Sequence, residues 1–178
     1  DDLRLGDGQL VAFAPHLLDQ KNVDMLTRQG VSSEVELTSR CEIMLENYCK
    51  TVNIEGHTMI EMTRKGYLPA IESYLYELAR TASLKKSVSG TAKCGYETAT
   101  IERLSELSDE ILERTEALEG VLEELKTYSD VIRTSEAVRD EVLPKMDLLR
   151  QSVDEAEMLT SEKIWPFPCY GKLLFSVY

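Results

Sequence analysis

Thirty-two carboxylates, four cysteines and two histidines are the residues of this 178-residue chain whose types could do chemistry. Carboxylate pairs such as Glu123-Glu124 and Asp154-Glu155 suggest acid/base work, but adjacent helical positions diverge by about 100° and cannot address one bond. A solvated helix face accounts for them. A dinuclear metal centre in a helical bundle needs two Glu-x-x-His motifs. Phe13 stands three before His16 and Ile54 three before His57, so that ligand set is missing. His57 and Glu61 share a helix face at i, i+4, which without a third ligand is an ordinary polar contact. Cys41, Cys49, Cys94 and Cys169 show neither a C-x-x-C motif nor zinc spacing. Cys41 and Cys49 fall on one expected helix, about 12 Å apart along its axis and too far for a disulfide. All four thiols read as small core residues rather than nucleophiles. Gly6-Asp7-Gly8 is a lone pair of glycines, not a phosphate-cradling loop. The residues assign no catalytic, cofactor-binding or metal-ligating position.

The composition narrows the partners. A net charge of −12 opposes nucleic acid and anionic membrane, both of which need clustered Lys and Arg. No apolar run approaches the roughly 20 residues of a membrane span. Hydrophobic residues at 43% are enough for a real core. Free thiols without a recognisable leader point to a reducing compartment, the cytoplasm. The start at Asp1-Asp2 reads as a fragment of a longer polypeptide.

The elements follow from spacing. Residues 1–18 have little periodicity and read as an irregular leader. Residues 19–163 form a helical bundle region. Asp19 is placed to cap a helix over 20–29 that Gly30 ends. Ser33-Glu34-Val35-Glu36 is a capping box that opens a long helix over 33–82, kinked near Pro69. Residues 83–96 read as a loop. A helix over 97–133 carries Leu104, Ile111, Leu118, Leu125 and Ile132 every seven residues, with Ile101, Ser108, Thr115 and Leu122 as a half-polar second seam. That suits an antiparallel hairpin better than a two-stranded dimer. The same stretch holds eleven acidic and four basic residues, −7 of the chain's −12. A last helix over 135–161 bends at Pro144. No segment alternates with period two, so the fold class is all-α: an antiparallel helical bundle with a long helical hairpin and an extended aromatic C-terminal tail.

That tail, 164–178, holds the only tryptophan and two of the three phenylalanines. Prolines 166 and 168 forbid a helix through it and favour an extended path. Burying each aromatic ring is worth roughly 1.5–3 kcal/mol, so Trp165, Phe167 and Phe175 are expected to dock, with Trp165 as the anchor.

Two stretches go beyond pattern. One is Gly30-Val31-Ser32-Ser33-Glu34-Val35-Glu36-Leu37-Thr38-Ser39-Arg40-Cys41, continuing through Asn47-Tyr48-Cys49-Lys50 to Thr58-Met59-Ile60-Glu61-Met62. The other is Trp165-Pro166-Phe167-Pro168 with Tyr170-Gly171 and Leu173-Leu174-Phe175. Together they resemble the C-terminal region of type III glutamine synthetases, the large bacterial class, over roughly residues 15–178. Typical members differ at Gly56-His57, Cys169 and Lys172. The resemblance implies a parent enzyme that joins ammonia to glutamate through a γ-glutamyl phosphate, with ATP and Mg or Mn. It places the metal ligands and phosphate-binding residues upstream, so no cofactor is expected in this chain. The implied partners are the catalytic domain of the same enzyme and neighbouring subunits of a homo-oligomer, with no nucleic acid and no membrane. The other reading is a free-standing acidic helical adaptor with no enzymatic parent.

Overall fold

The computed structural model describes residues 11, 14 and 16–168, and every regular element among them is helical. In chain order these are α1 (Gln20–Arg28), α2 (Glu34–Met62), a π turn (Thr63–Tyr67), α3 (Leu68–Val88), α4 (Gly95–Leu125), α5 (Val131–Ala137), a second π turn (Val138–Val142) and α6 (Leu143–Leu159). The fold is all-α, and no helix among the described residues is long and apolar enough to cross a membrane.

Local chemistry sets the ends. Gly30, at φ 67°, follows α1. The Val31 N–H bonds to the Leu26 carbonyl and the Gly30 N–H to that of Thr27, the paired bonds of a glycine-terminated helix. At the start of α1 the Asp19 side chain caps nothing, contrary to expectation; its carboxylate lies 3.3 Å from His16 instead. The capping box is half made. Ser33 Oγ accepts the Glu36 N–H at 3.3 Å, while the Glu36 carboxylate turns outward to Arg40 at 2.9 Å.

Both prolines expected to kink helices are accommodated by π turns. The Leu68 N–H bonds to the Thr63 carbonyl and the Leu143 N–H to that of Val138, each reaching back five residues. Pro69 and Pro144 come next in the chain. A proline lacks an N–H and its ring clashes with the carbonyl four residues back. Widening the preceding turn by one residue lets the helix run on through the Leu-Pro pair.

The chain divides into two compact units. In the first, Asp1–His57 with Leu118–Lys145, Ala14, Cys41 and Leu45 form a buried cluster on which Leu18 and Val131 pack. The Cys41 thiol donates to the Ala14 carbonyl at 3.3 Å. Residues 11, 14, 16 and 17 are helical, and Val11 and Ala14 are buried. The irregular leader expected over 1–18 therefore does not hold at these positions: burial of small apolar side chains overrides the neighbouring helix breakers. Gly56 lets α2 and α4 meet here, since a Cβ on it would stand 3.0 Å from Leu122 Cδ1.

In the second unit, Thr58–Ala117 with Met146–Tyr178, α3 and α4 form an antiparallel hairpin. Its tip is shorter than the expected 83–96 loop, because α3 runs to Val88 and α4 starts at Gly95. Arg103 reaches Glu155 on α6 through two bonds of 2.7 and 2.8 Å, and Arg114 donates to the Leu148 carbonyl at 2.7 Å and to Ser152 Oγ. Ile71, Leu104, Leu107, Ile111 and Leu149 are wholly buried within this unit.

The expected helix over 97–133 is broken. α4 ends at Leu125, and Asp130 starts α5 by accepting the Ile132 and Arg133 N–H groups at 2.7 and 3.3 Å. Ile132 therefore sits on another helix, 39% exposed, and Leu125 is only half-buried. An aspartate cap outcompetes a heptad count.

Candidate functional site

Glu97 is the one carboxylate among the described residues that is buried, at 3% exposure. Its oxygen accepts the Lys85 ammonium across the α3–α4 tip. That hydrogen bond holds the Glu97 carboxyl below the usual glutamate range and pushes Lys85 above the usual lysine range. A carboxylate locked in its charged form is a poor proton donor at neutral pH, so the pair is structural. His57 Nδ1 lies 2.8 Å from the Asn53 carbonyl, while Glu61 pairs with Lys65 at 2.5 Å. The two residues that share a face do not act together. Cys41 and Cys49 are pushed up in pKa, first by burial, which leaves them protonated and inert. Among the described residues no three His, Cys, Asp or Glu side chains converge to hold a metal ion. The donor set therefore does not fit the divalent ions that the sequence resemblance implies for a parent enzyme.

The second unit does build a docking site, at its π turn. After α6 the Ser161 carbonyl accepts the N–H groups of Ile164 and Trp165 at 2.9 and 3.0 Å, turning the chain back toward Thr63–Tyr67. Trp165 is 8% exposed, its ring centroid 5.1 Å from that of Tyr67. Phe167 stands 5.0 Å from the same ring, tilted by 59°. Tilted aromatic contacts at this spacing add about 0.5–1.5 kcal/mol beyond the area they bury. Gly66 makes the approach possible, because a Cβ there would lie 2.9 Å from Phe167 Cε2. Burial, then the carboxylates of Glu157 and Asp154, push the Tyr67 hydroxyl up in pKa. Beside this clasp lies a groove of about 350 Å3 lined by Met59, Met62, Thr63, Tyr67, Leu149 and Val153, with Arg150 and Asp154 also on its wall.

Of the residues singled out from sequence, Leu104, Ile111 and Leu118 are wholly buried. Leu125 lines a separate groove of about 220 Å3 in the first unit, with Cys49, Asn53, Leu122, Thr134 and Val138. Trp165 and Phe167 meet at Tyr67, and Phe175 lies outside the described residues. Sequence reasoning missed Gly66 and Tyr67 as the receiving surface. Their signal is a Gly-Tyr-Leu-Pro run inside a helical pattern.

Comparison with known proteins gives these features a context. Residues 8–86 match the family described as the glutamine synthetase C-terminal domain. A glutamine synthetase from Butyrivibrio fibrisolvens is 36% identical over 170 residues, covering 92% of this chain and 23% of that protein. A glutamine synthetase from Bacteroides fragilis (strain YCH46) is 27% identical over 168 residues, covering 90% of this chain and 23% of that protein. A type-3 glutamine synthetase from Dictyostelium discoideum is 24% identical over 160 residues, covering 88% of this chain and 22% of that protein. The chain spans under a quarter of the length of each relative.

Proposed function

We propose that this chain, whose residues 8–86 match the glutamine synthetase C-terminal domain, is a non-catalytic helical module supporting the catalytic portion of a glutamate–ammonia ligase and its assembly into a homo-oligomer. The observation that carries the reading is the disparity in extent: nearly the whole chain aligns with under a quarter of each relative. Phosphoryl transfer from ATP needs metal carboxylates and cationic clamps in one pocket, and among the described residues no three His, Cys, Asp or Glu side chains gather to hold a metal ion. In this reading ATP and Mg or Mn belong to the catalytic portion. In this reading the apolar residues Leu173, Leu174 and Phe175, which follow the clasp in the sequence, contact the catalytic portion or a neighbouring subunit.

The test is a γ-glutamyl transfer assay on the 178-residue chain with ATP and either Mg or Mn. The expected rate is that of a heat-killed control, and turnover well above it would overturn the non-catalytic assignment. The same assay on the longer polypeptide, with and without this region, reads the supporting role as lost activity and a smaller particle.

A further inference from the structure

Charge is segregated within the second unit. Residues 78–96 contain Arg80, Lys85, Lys86 and Lys93 and no acidic residue, in a chain of net charge −12. They form the α3–α4 tip, which is built to be rigid. Lys85 is tied to Glu97, the Cys94 thiol points to the Ala82 carbonyl at 3.7 Å, and the Ala92 N–H donates to the Ser89 carbonyl at 2.9 Å. This rigid tip nevertheless leaves Leu84 55% and Val88 88% exposed. Four residues apart on the last turns of α3, they border with Ala92 an open apolar groove of about 490 Å3. Lys85 is taken up by Glu97, while Arg80, Lys86 and Lys93 are exposed around the groove.

The complementary surface lies on α4. Glu102, Glu106, Asp109, Glu113 and Glu116 recur at intervals of four and three, all exposed, so they form one acidic stripe. Leu112, 44% exposed, flanks it. Tip and stripe belong to one hairpin, and a rigid helix cannot fold its own beginning onto its outer face. The attraction between tip and stripe is therefore satisfied between molecules.

We propose that the basic, apolar α3–α4 tip of one copy of this chain docks on the acidic α4 face of a second copy, Val88 and Leu84 meeting Leu112 and Lys86 and Lys93 meeting the carboxylate stripe. Tip against tip and stripe against stripe both repel, so the contact pairs unlike surfaces, the tip of each copy with the stripe of another. The proposal deepens the module's assembly role and rests on that reading for its biological setting. Its test needs no catalytic portion, so its failure is distinct from failure of the supporting role.

Sedimentation velocity of the chain from about 5 to about 500 µM reads the association directly. We expect concentration-dependent oligomers that weaken about tenfold or more as salt rises from about 50 to about 300 mM. Val88→Asp, the pair Lys86→Glu with Lys93→Glu, and the pair Asp109→Lys with Glu113→Lys should each leave a monomer. All five positions are exposed, and circular dichroism checks that the helices remain. Mixing the two charge-reversed chains should restore association between them, because the reversed tip meets the reversed stripe. A wild-type chain that stays monomeric at low salt overturns the proposal. So does association indifferent to these variants, or a mixture that fails to associate.

Discussion

A single absent methyl group controls the aromatic clasp. Gly66 lies in the π turn, and Phe167 occupies the space where a side chain would stand. Two effects oppose each other on replacement. Alanine in place of a helical glycine gains about 1 kcal/mol, while forcing atoms into a packed site costs about 1–3 kcal/mol. The atom in the way is the far edge of a half-buried ring, which can swing aside. Gly66→Ala should therefore change stability by about 1 kcal/mol or less, yet shift Trp165 emission to longer wavelength and raise its quenching by acrylamide. Unchanged fluorescence would mean that Trp165 does not depend on Phe167 for its cover. The Lys85–Glu97 pair makes a different prediction, set by pH. Glu97 has a folded pKa lowered from 4.5, so its contribution is present above that value and lost as pH falls through the lower one. Lys85 is raised from 10.5, so its share is complete below that value and lost as pH rises past it. Glu97→Gln should be less stable than wild type at neutral pH, with the gap closing as the medium is taken well below pH 4.5. A gap independent of pH would show that the charge of Glu97 does not matter. The tyrosine bridge nearby behaves as a neutral contact: the hydrogen bond to Tyr96, 3.0 Å away, pushes the Tyr74 hydroxyl up to about 12.

Along α4 the buried residues follow an eleven-residue repeat rather than seven. Leu104, Leu107 and Ile111 are wholly buried, and a shift of eleven maps them onto Thr115, Leu118 and Leu122, none more than 1% exposed. Eleven residues over three turns is the period of a nearly straight helix, whereas a strict heptad drifts by about 20° per repeat. The heptad reading of the sequence consequently held Leu104, Ile111 and Leu118, missed Leu107, and carried too far to Leu125 and Ile132. Leu118→Ala should cost about 2–5 kcal/mol, as leucines lost from packed cores do. Ile132→Ala and Glu113→Ala should each cost about 1 kcal/mol or less in denaturant midpoints. If Ile132→Ala matched Leu118→Ala, the break at Asp130 would be misplaced. The same comparison shows what a sequence makes legible. Helix type and the Gly30 stop came through, because a 3.6-residue period and a left-handed glycine are local properties. The Asp130 cap is equally local, but the seven-residue spacing of apolar residues runs straight across it. The π turns were not readable, since a proline in a helix permits either a kink or a widened turn, and packing selects between them. Thr115 looked like a flaw in the seam, yet its hydroxyl donates to the Ile111 carbonyl at 2.6 Å and so enters the core satisfied.

On the scale of the molecule, acidic helices solvate the chain while the clasp keeps the only tryptophan covered. Two residues of the tail, Trp165 and Phe167, are held against Tyr67, and the apolar group Leu173, Leu174 and Phe175 follows in the sequence within seven residues of Pro168. Seven extended residues reach at most about 25 Å, so a partner for these side chains would have to lie within that reach of Pro168. Two occupants give opposite results. If the partner is the catalytic domain or a neighbouring subunit, Phe175→Asp leaves the stability of the 178-residue chain within about 0.5 kcal/mol of wild type. In the longer polypeptide the same change then loosens the oligomer and lowers ligase activity, because a carboxylate is placed in an apolar contact without a partner. If the tail instead closes the chain's own core, the isolated chain loses several kcal/mol, as buried phenylalanines do at about 3–5 kcal/mol on truncation. The first pattern is the one that follows from the proposed supporting role. Parallel denaturant titrations of the two proteins, with sedimentation of the longer one, separate the cases. A destabilised fragment beside an intact oligomer would remove the tail from the assembly altogether.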